Sequence, residues 1–209
     1  MSNNKNEKSE NNNKSIDSNK KTIKYGILQQ KSDIIKINDL FNIYFEKINP
    51  NIIKNSEKGY EFSLDKFENI NFIFELIPEE ELKNIYNIYN YFNFFLIFID
   101  IQSSASLKIL ELYIDRLIDC SQYNTKKSYI FGVYKNENSI INKDEQITTI
   151  LNCKGIDYEY SEININLIEE FPKGVEYLIE DSKEIMEEIE FEDIHTKFGR
   201  DKGKSCLIY

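Results

Sequence analysis

The chain has 209 residues, 41% of them hydrophobic, which is enough to bury one substantial core, and it carries a net charge of −10. That charge argues against a nucleic-acid-binding body, because phosphate contacts need clustered Lys and Arg. Cys120, Cys153 and Cys206 are odd in number and lack metal-type spacing, and His195 is the single histidine, so neither a disulfide framework nor a zinc site is supported and a reducing, cytosolic compartment is expected.

Residues 1–21 are Asn, Lys, Ser and Glu with little that is apolar, and are expected to form a disordered tail ahead of a domain over residues 22–194. A first strand is expected over Thr22–Leu28, followed by a tight loop at residues 29–33. Ile34, Ile35, Ile37, Leu40, Phe41, Tyr44 and Phe45 then recur at helical spacing, with Ser32 or Asp33 placed to cap. Residues 49–59 read as a polar connection. Tyr60–Leu64 and Ile70–Ile77 read as two strands of an antiparallel hairpin that turns near Glu68-Asn69, and Pro78 opens a short helical or irregular stretch through Tyr89.

The strongest element is Tyr91–Asp100, an almost unbroken apolar run that ends on a carboxylate. It fits a strand buried on both faces and is too short to cross a bilayer as a helix. A helix up to Cys120 and a second buried strand, Ser128–Tyr134, complete a βαβ unit. A helix over Asn142–Leu151 closed by Lys154-Gly155, a short strand Ile156–Ser161, and a helix from Leu167 follow. The last helix is expected to break or restart at residues 172–174. Its apolar face (Val175, Leu178, Ile179, Ser182, Ile185, Met186, Ile189) stands opposite a strongly acidic one, read as a solvated surface.

In order the elements are β, α, β-hairpin, short helix, β, α, β, α, β, α, an α/β pattern with a mostly parallel six-stranded sheet, one antiparallel strand, and helices on both faces. This order resembles the P-loop fold of small GTPases of the Ras and Rab families, over about residues 22–180. The segment Gly26-Ile-Leu-Gln-Gln-Lys31-Ser32 is similar to that family's phosphate loop. It keeps Lys31 for the phosphates and Ser32 for magnesium, but has no glycine directly before the Lys and is one residue short; an alignment with the loop wholly deleted stays open. Where the family has Asp-x-x-Gly, the chain has Glu75-Leu-Ile-Pro78, and proline has no N–H for a γ-phosphate. Glu79 falls at the place of the water-orienting Gln and receives no catalytic role, since a carboxylate repels polyphosphate. Tyr134-Lys135-Asn136-Glu137 resembles the guanine-reading loop, with Lys135 along the base and Glu137 at its edge, and Ser161-Glu162-Ile163 resembles the family's last loop.

The C-terminal end, residues 195–209, reads as a flexible tail. Lys197, Arg200, Lys202 and Lys204 make it basic, and Cys206-Leu-Ile-Tyr209 resembles a CaaX prenylation box with Cys206 as the lipidated residue. His195 reads as a surface residue. The resemblance implies a degenerate member, a pseudo-GTPase acting as an interaction or trafficking module on cytosolic membrane faces, without a cofactor. Its partners would be proteins, with membrane contact through a lipidated Cys206. Two alternatives stand beside it: an active Ras/Rab-type protein that binds GTP or GDP with magnesium, and an adaptor or chaperone subunit that uses the fold to bind protein, as adaptin-binding proteins do.

Overall fold

The computed structural model describes residues 20–48, 50–56, 58–67, 69–121, 126–142, 144–167 and 169–200. The elements are β1 (Lys21–Gln29), α1 (Ile37–Ile48), β2 (Asn51–Ser56), β3 (Gly59–Ser63), β4 (Ile70–Leu76), α2 (Ile85–Tyr89, preceded by a 3-10 turn at Glu79–Asn84), β5 (Phe94–Asp100), α3 (Ser106–Ser121), β6 (Ser128–Tyr134), α4 (Asp144–Lys154), β7 (Tyr158–Asn164) and α5 (Glu170–Arg200). The strands form one sheet in the order β2-β3-β4-β1-β5-β6-β7. Every neighbouring pair from β4 to β7 is parallel, whereas β3 runs antiparallel to both β2 and β4.

The sheet thus contains the six expected strands and a seventh, β2, on the edge. The polar connection expected over residues 49–59 is corrected by that strand, which pairs with β3 with an irregularity between Ile52 and Lys54. An edge strand needs no continuous apolar pattern, and irregular pairing there discourages further strand addition.

β5 is buried along six successive residues because helices cover both faces of the sheet. On one face α1 and α5 close over Tyr25, Phe62, Phe72, Phe74, Phe94, Phe98 and Phe131. On the other, α2, α3 and α4 close over Leu28, Phe95, Ile97, Ile99 and Ile130. Phe171 of α5 meets the rings of Phe41, Phe98 and Phe131 at 5.3–6.3 Å between centroids. Polar fasteners seat the same helix. Tyr25 Oη bonds Ser182 Oγ, and Asp181 accepts from both Tyr129 Oη (2.5 Å) and Lys127 Nζ (2.8 Å).

Two further expectations are corrected. α1 starts at Ile37, so Ser32 and Asp33 do not cap it, and Ile35 is buried from the loop rather than from a helix. α5 is continuous through Pro172 and Gly174. Pro172 lies in the first turn, where an N–H has no intrahelical acceptor to lose. A Cβ at Gly174 would come within 3.3 Å of the Phe131 ring, so the glycine allows a close approach to the sheet. The C-terminus of α4 ends as expected, with Gly155 at φ +65°. Cys120 and Cys153 are free thiols. The tail expected over residues 1–21 falls, up to residue 19, outside the described residues, as do Glu68 of the hairpin turn, Lys202, Lys204, Cys206 and the rest of residues 201–209.

Candidate functional site

A parallel sheet presents its loops at the carboxyl ends of the strands, and a crevice opens where consecutive connections leave in opposite directions. Here that point lies between β1 and β5, since the chain leaves β1 toward the β2–β4 side and leaves β5 toward β6. The loops that meet there are residues 30–36 and 101–105.

The chain's own side chains fill this crevice. Gln30 N donates to Phe98 O (2.8 Å) as a last rung of the β1–β5 ladder. The next rung is made by a side chain, with Asp100 N donating to Gln30 Oε1 (2.8 Å). Gln30 is buried, and its Oε1 also accepts from the fully buried Ser106 Oγ (3.0 Å), which lies against Asp100 O as well. The Asp100 carboxylate accepts from Ser32 Oγ (2.7 Å) and from Gln102 N (3.0 Å). Beneath the loop, Tyr113 Oη donates to Gln29 O (2.7 Å), and burial pushes this phenol up to about 12.

Beside the crevice is an open cleft of about 740 Å³, lined by Ile34, Gln102, residues 135–139, Asn164 and Asn166. Its walls are held by amide side chains. Gln102 accepts from Lys135 N (2.8 Å) and donates to Asn136 O (3.1 Å), and Asn136 Oδ1 caps the 3-10 turn Glu137–Ser139 by accepting from Asn138 N (3.1 Å). Asn166 Nδ2 donates to Lys135 O (2.6 Å), while Asn164 N donates to Glu170 Oε2 (2.7 Å). The buried Asn142 ties the floor by donating to Ser103 O (2.7 Å). Burial, reinforced by the carboxylates of Glu170 and Glu137, raises the Tyr134 phenol.

The structure brings Lys135 and Glu137 together on this cleft, both exposed, and neither ammonium nor carboxylate has a partner among the described residues. Ser32 sits at the switch point with its hydroxyl engaged by Asp100, and Lys31 is exposed on the same loop. Ser161 does not belong to the site. β7 continues to Asn164, so Ser161 is a mid-strand residue opposite Phe131, and Asn164 and Asn166 occupy the position expected for it. Pro78 leads into the 3-10 turn, its carbonyl accepting from Glu81 N (2.9 Å), and Glu79 is exposed. Sequence reasoning missed Gln30 and Ser106 altogether; the one signal available was that the apolar run ends on Asp100 and is followed by a polar Gln-Ser-Ser-Ala-Ser segment.

The chain matches no protein-family model and no curated protein. Its fold and site place it in the class of α/β domains with a mostly parallel sheet whose candidate site lies at the carboxyl edge.

Proposed function

We propose that this chain is a small-GTPase-like domain that holds no guanine nucleotide and works as a protein-interaction module on cytosolic membrane faces. The observation that carries the reading is the Asp100 network. Where a phosphate would need inward-turned N–H groups, the crevice contains a carboxylate, and the loop after β1 contains no glycine to form the nest. A fixed anion in that position repels a polyphosphate, and the Ser32 hydroxyl that the resemblance would assign to magnesium is bonded to Asp100 instead. The residues present therefore do not fit a magnesium–nucleotide.

A second reading, binding of GTP or GDP with magnesium, draws on the open cleft beside Lys135 and Glu137. Nucleotide content of the protein isolated from its own cells separates the two. The expected result is none released on denaturation, and no binding of fluorescent GDP or GTP with magnesium; near-stoichiometric nucleotide would overturn the proposal. The adaptor or chaperone reading shares the nucleotide-free state and differs only in partner. Among the described residues no helix is long and apolar enough to cross a membrane. Membrane contact is proposed through Cys206 and the basic tail, and an intact mass carrying a prenyl group is the expected mark of it.

A further inference from the structure

The two edges of the sheet differ. β2 pairs irregularly with β3, whereas β7 keeps unbroken register with β6 from Tyr158 to Asn164. Asp157 O accepts from Ser128 N (3.0 Å) and Ile165 N donates to Tyr134 O (2.9 Å), so the odd-numbered residues between them turn their backbone groups toward β6. The N–H and C=O groups of Tyr158, Tyr160 and Glu162 therefore point off the sheet, and no strand among the described residues pairs with them. The next outward N–H, that of Asn164, donates to Glu170 Oε2 (2.7 Å), which ends the free stretch.

Sheet edges are ordinarily protected by Lys, Pro or a bulge. β7 has none of these: neither Pro nor a basic residue occurs between Lys154 and Pro172, and the register does not shift. What lines the edge is acid. On the α4 face Glu162 is exposed and accepts from Tyr160 Oη (3.2 Å), and Asp144 is close enough to help raise that phenol after burial and Glu162. On the α5 face Glu159, Asp181 and Glu184 stand around Tyr177, which is 53% exposed. The cations on this face are already engaged, Lys127 with Glu159 (3.2 Å) and Asp181 (2.8 Å), and Lys173 with Glu169 (3.8 Å).

We infer that the outer edge of β7 is a strand-addition site for an extended segment of a partner protein that carries Lys or Arg. The outward backbone groups supply the ladder, and alternate side chains of the added strand reach the two acidic faces. On one face a cation falls beside Glu162 and Asp144. On the other it falls beside Glu184 and can lie over the Tyr177 ring. A second copy of this chain fits less well, because its own edge would set Asp157, Glu159 and Glu162 beside the same acids, and each chain carries a net charge of −10. The inference rests on the protein-interaction reading and names the chemistry of the partner.

Fluorescence anisotropy on the full chain tests it, with a labelled peptide of about nine residues built from Lys, Thr and Val, with Lys on both faces. Its Kd should be on the order of 100 μM, because one added strand buries less than a standard interface, and binding should weaken with salt. The same peptide with Glu for every Lys should not bind. Of two peptides N-methylated on alternate residues, the one blocked along the edge that meets β7 should not bind either. Glu162→Lys should weaken binding about threefold, and Glu162→Pro, which removes an outward N–H, about fivefold. In the complex the amides of Tyr158, Tyr160 and Glu162 should exchange more slowly with solvent, while those of Ser161 and Ile163, already in the ladder, should not change. No binding at about ten times that concentration, indifference to the Glu or N-methyl replacements, protection elsewhere than on β7, or a chain that dimerises through this edge would each overturn the inference. Nucleotide content of the same samples keeps the two proposals apart. A nucleotide-loaded chain that adds the strand overturns the proposed function alone, and a nucleotide-free chain that does not add it overturns this inference alone.

Discussion

Replacing Gln30 by Ala tests whether the crevice at the end of β1 is closed by the chain itself. The side chain is 3% exposed, and its Oε1 is the acceptor for Asp100 N at 2.8 Å, at a point where β1 has run out of backbone partners. Truncation orphans that buried N–H, which costs about 1–3 kcal/mol, and leaves a small gap that adds about 1 kcal/mol. Ser106 loses one contact but keeps the Asp100 carbonyl, so its own loss adds little. The expected total is about 2–4 kcal/mol, a large share of the stability of an ordinary domain. Urea unfolding followed by circular dichroism measures it, with an unchanged m-value showing that the denatured state is not responsible. Ser106→Ala alone should cost about 1 kcal/mol, and the double variant should fall short of additivity by up to about 1 kcal/mol because the hydrogen bond from Ser106 to Gln30 is lost in either single variant. A loss below about 0.5 kcal/mol for Gln30→Ala, within the range of a neutral surface substitution, would refute the picture of a closed crevice and remove the main support for a nucleotide-free domain.

The parts of the fold that were legible are those in which local pattern and tertiary role coincide. β6 falls on Ser128–Tyr134 as expected because a strand buried on both faces is apolar throughout, and no other element imitates that pattern at that length. β2 was illegible for the converse reason. Asn-Ile-Ile-Lys-Asn-Ser lies at the sheet's edge, where no alternation is demanded. Ile34 and Ile35 look helical in sequence, yet they precede α1, and Ile35 is buried by the loop's path across the core. Pro172 looks like a break only if the helix starts at Leu167; α5 starts at Glu170, which puts the proline in the first turn, where it is tolerated.

The placement of Lys135 and Glu137 on the loop beside the cleft is legible because that loop begins where an unmistakable strand ends. The sequence does not mark the end of β7, because the strand mixes polar and apolar residues on both faces, so Ser161 looks like a loop residue; the Asn164-Ile-Asn166 turn is the better marker. The network that decides the chemistry was not legible. Gln30 and Ser106 are separated by 76 positions and meet only because β1 and β5 are neighbours, a relation that no local pattern encodes.

Two predictions remain. Phe95→Ala should cost about 3–5 kcal/mol in the same urea assay, since the ring is fully buried between Tyr89 and Phe92 at 5.4 and 5.8 Å and its removal leaves a cavity; equal tolerance there and at an exposed site such as Tyr91 would show the core to be elsewhere. The other concerns alkaline pH. Burial raises the phenols of Tyr25, Tyr44, Tyr113, Tyr129 and Tyr160 above the ordinary value of 10.0, that of Tyr113 to about 12. A raised folded-state value means that above the ordinary value the unfolded chain releases protons that the folded chain keeps, so stability falls as pH rises. The contribution is therefore complete below about pH 10 and is lost progressively above it, for Tyr113 over the window from about 10 to about 12. Urea midpoints should be flat between neutrality and that threshold and then drop, with tyrosinate absorbance appearing together with unfolding. Tyr113→Phe should lower stability at neutral pH, through the lost bond to Gln29 O, while making the alkaline slope shallower. If the tyrosines titrate freely near their ordinary value while the midpoint stays constant, they are not buried as neutral phenols and the packing of α3 and α5 on the sheet is wrong.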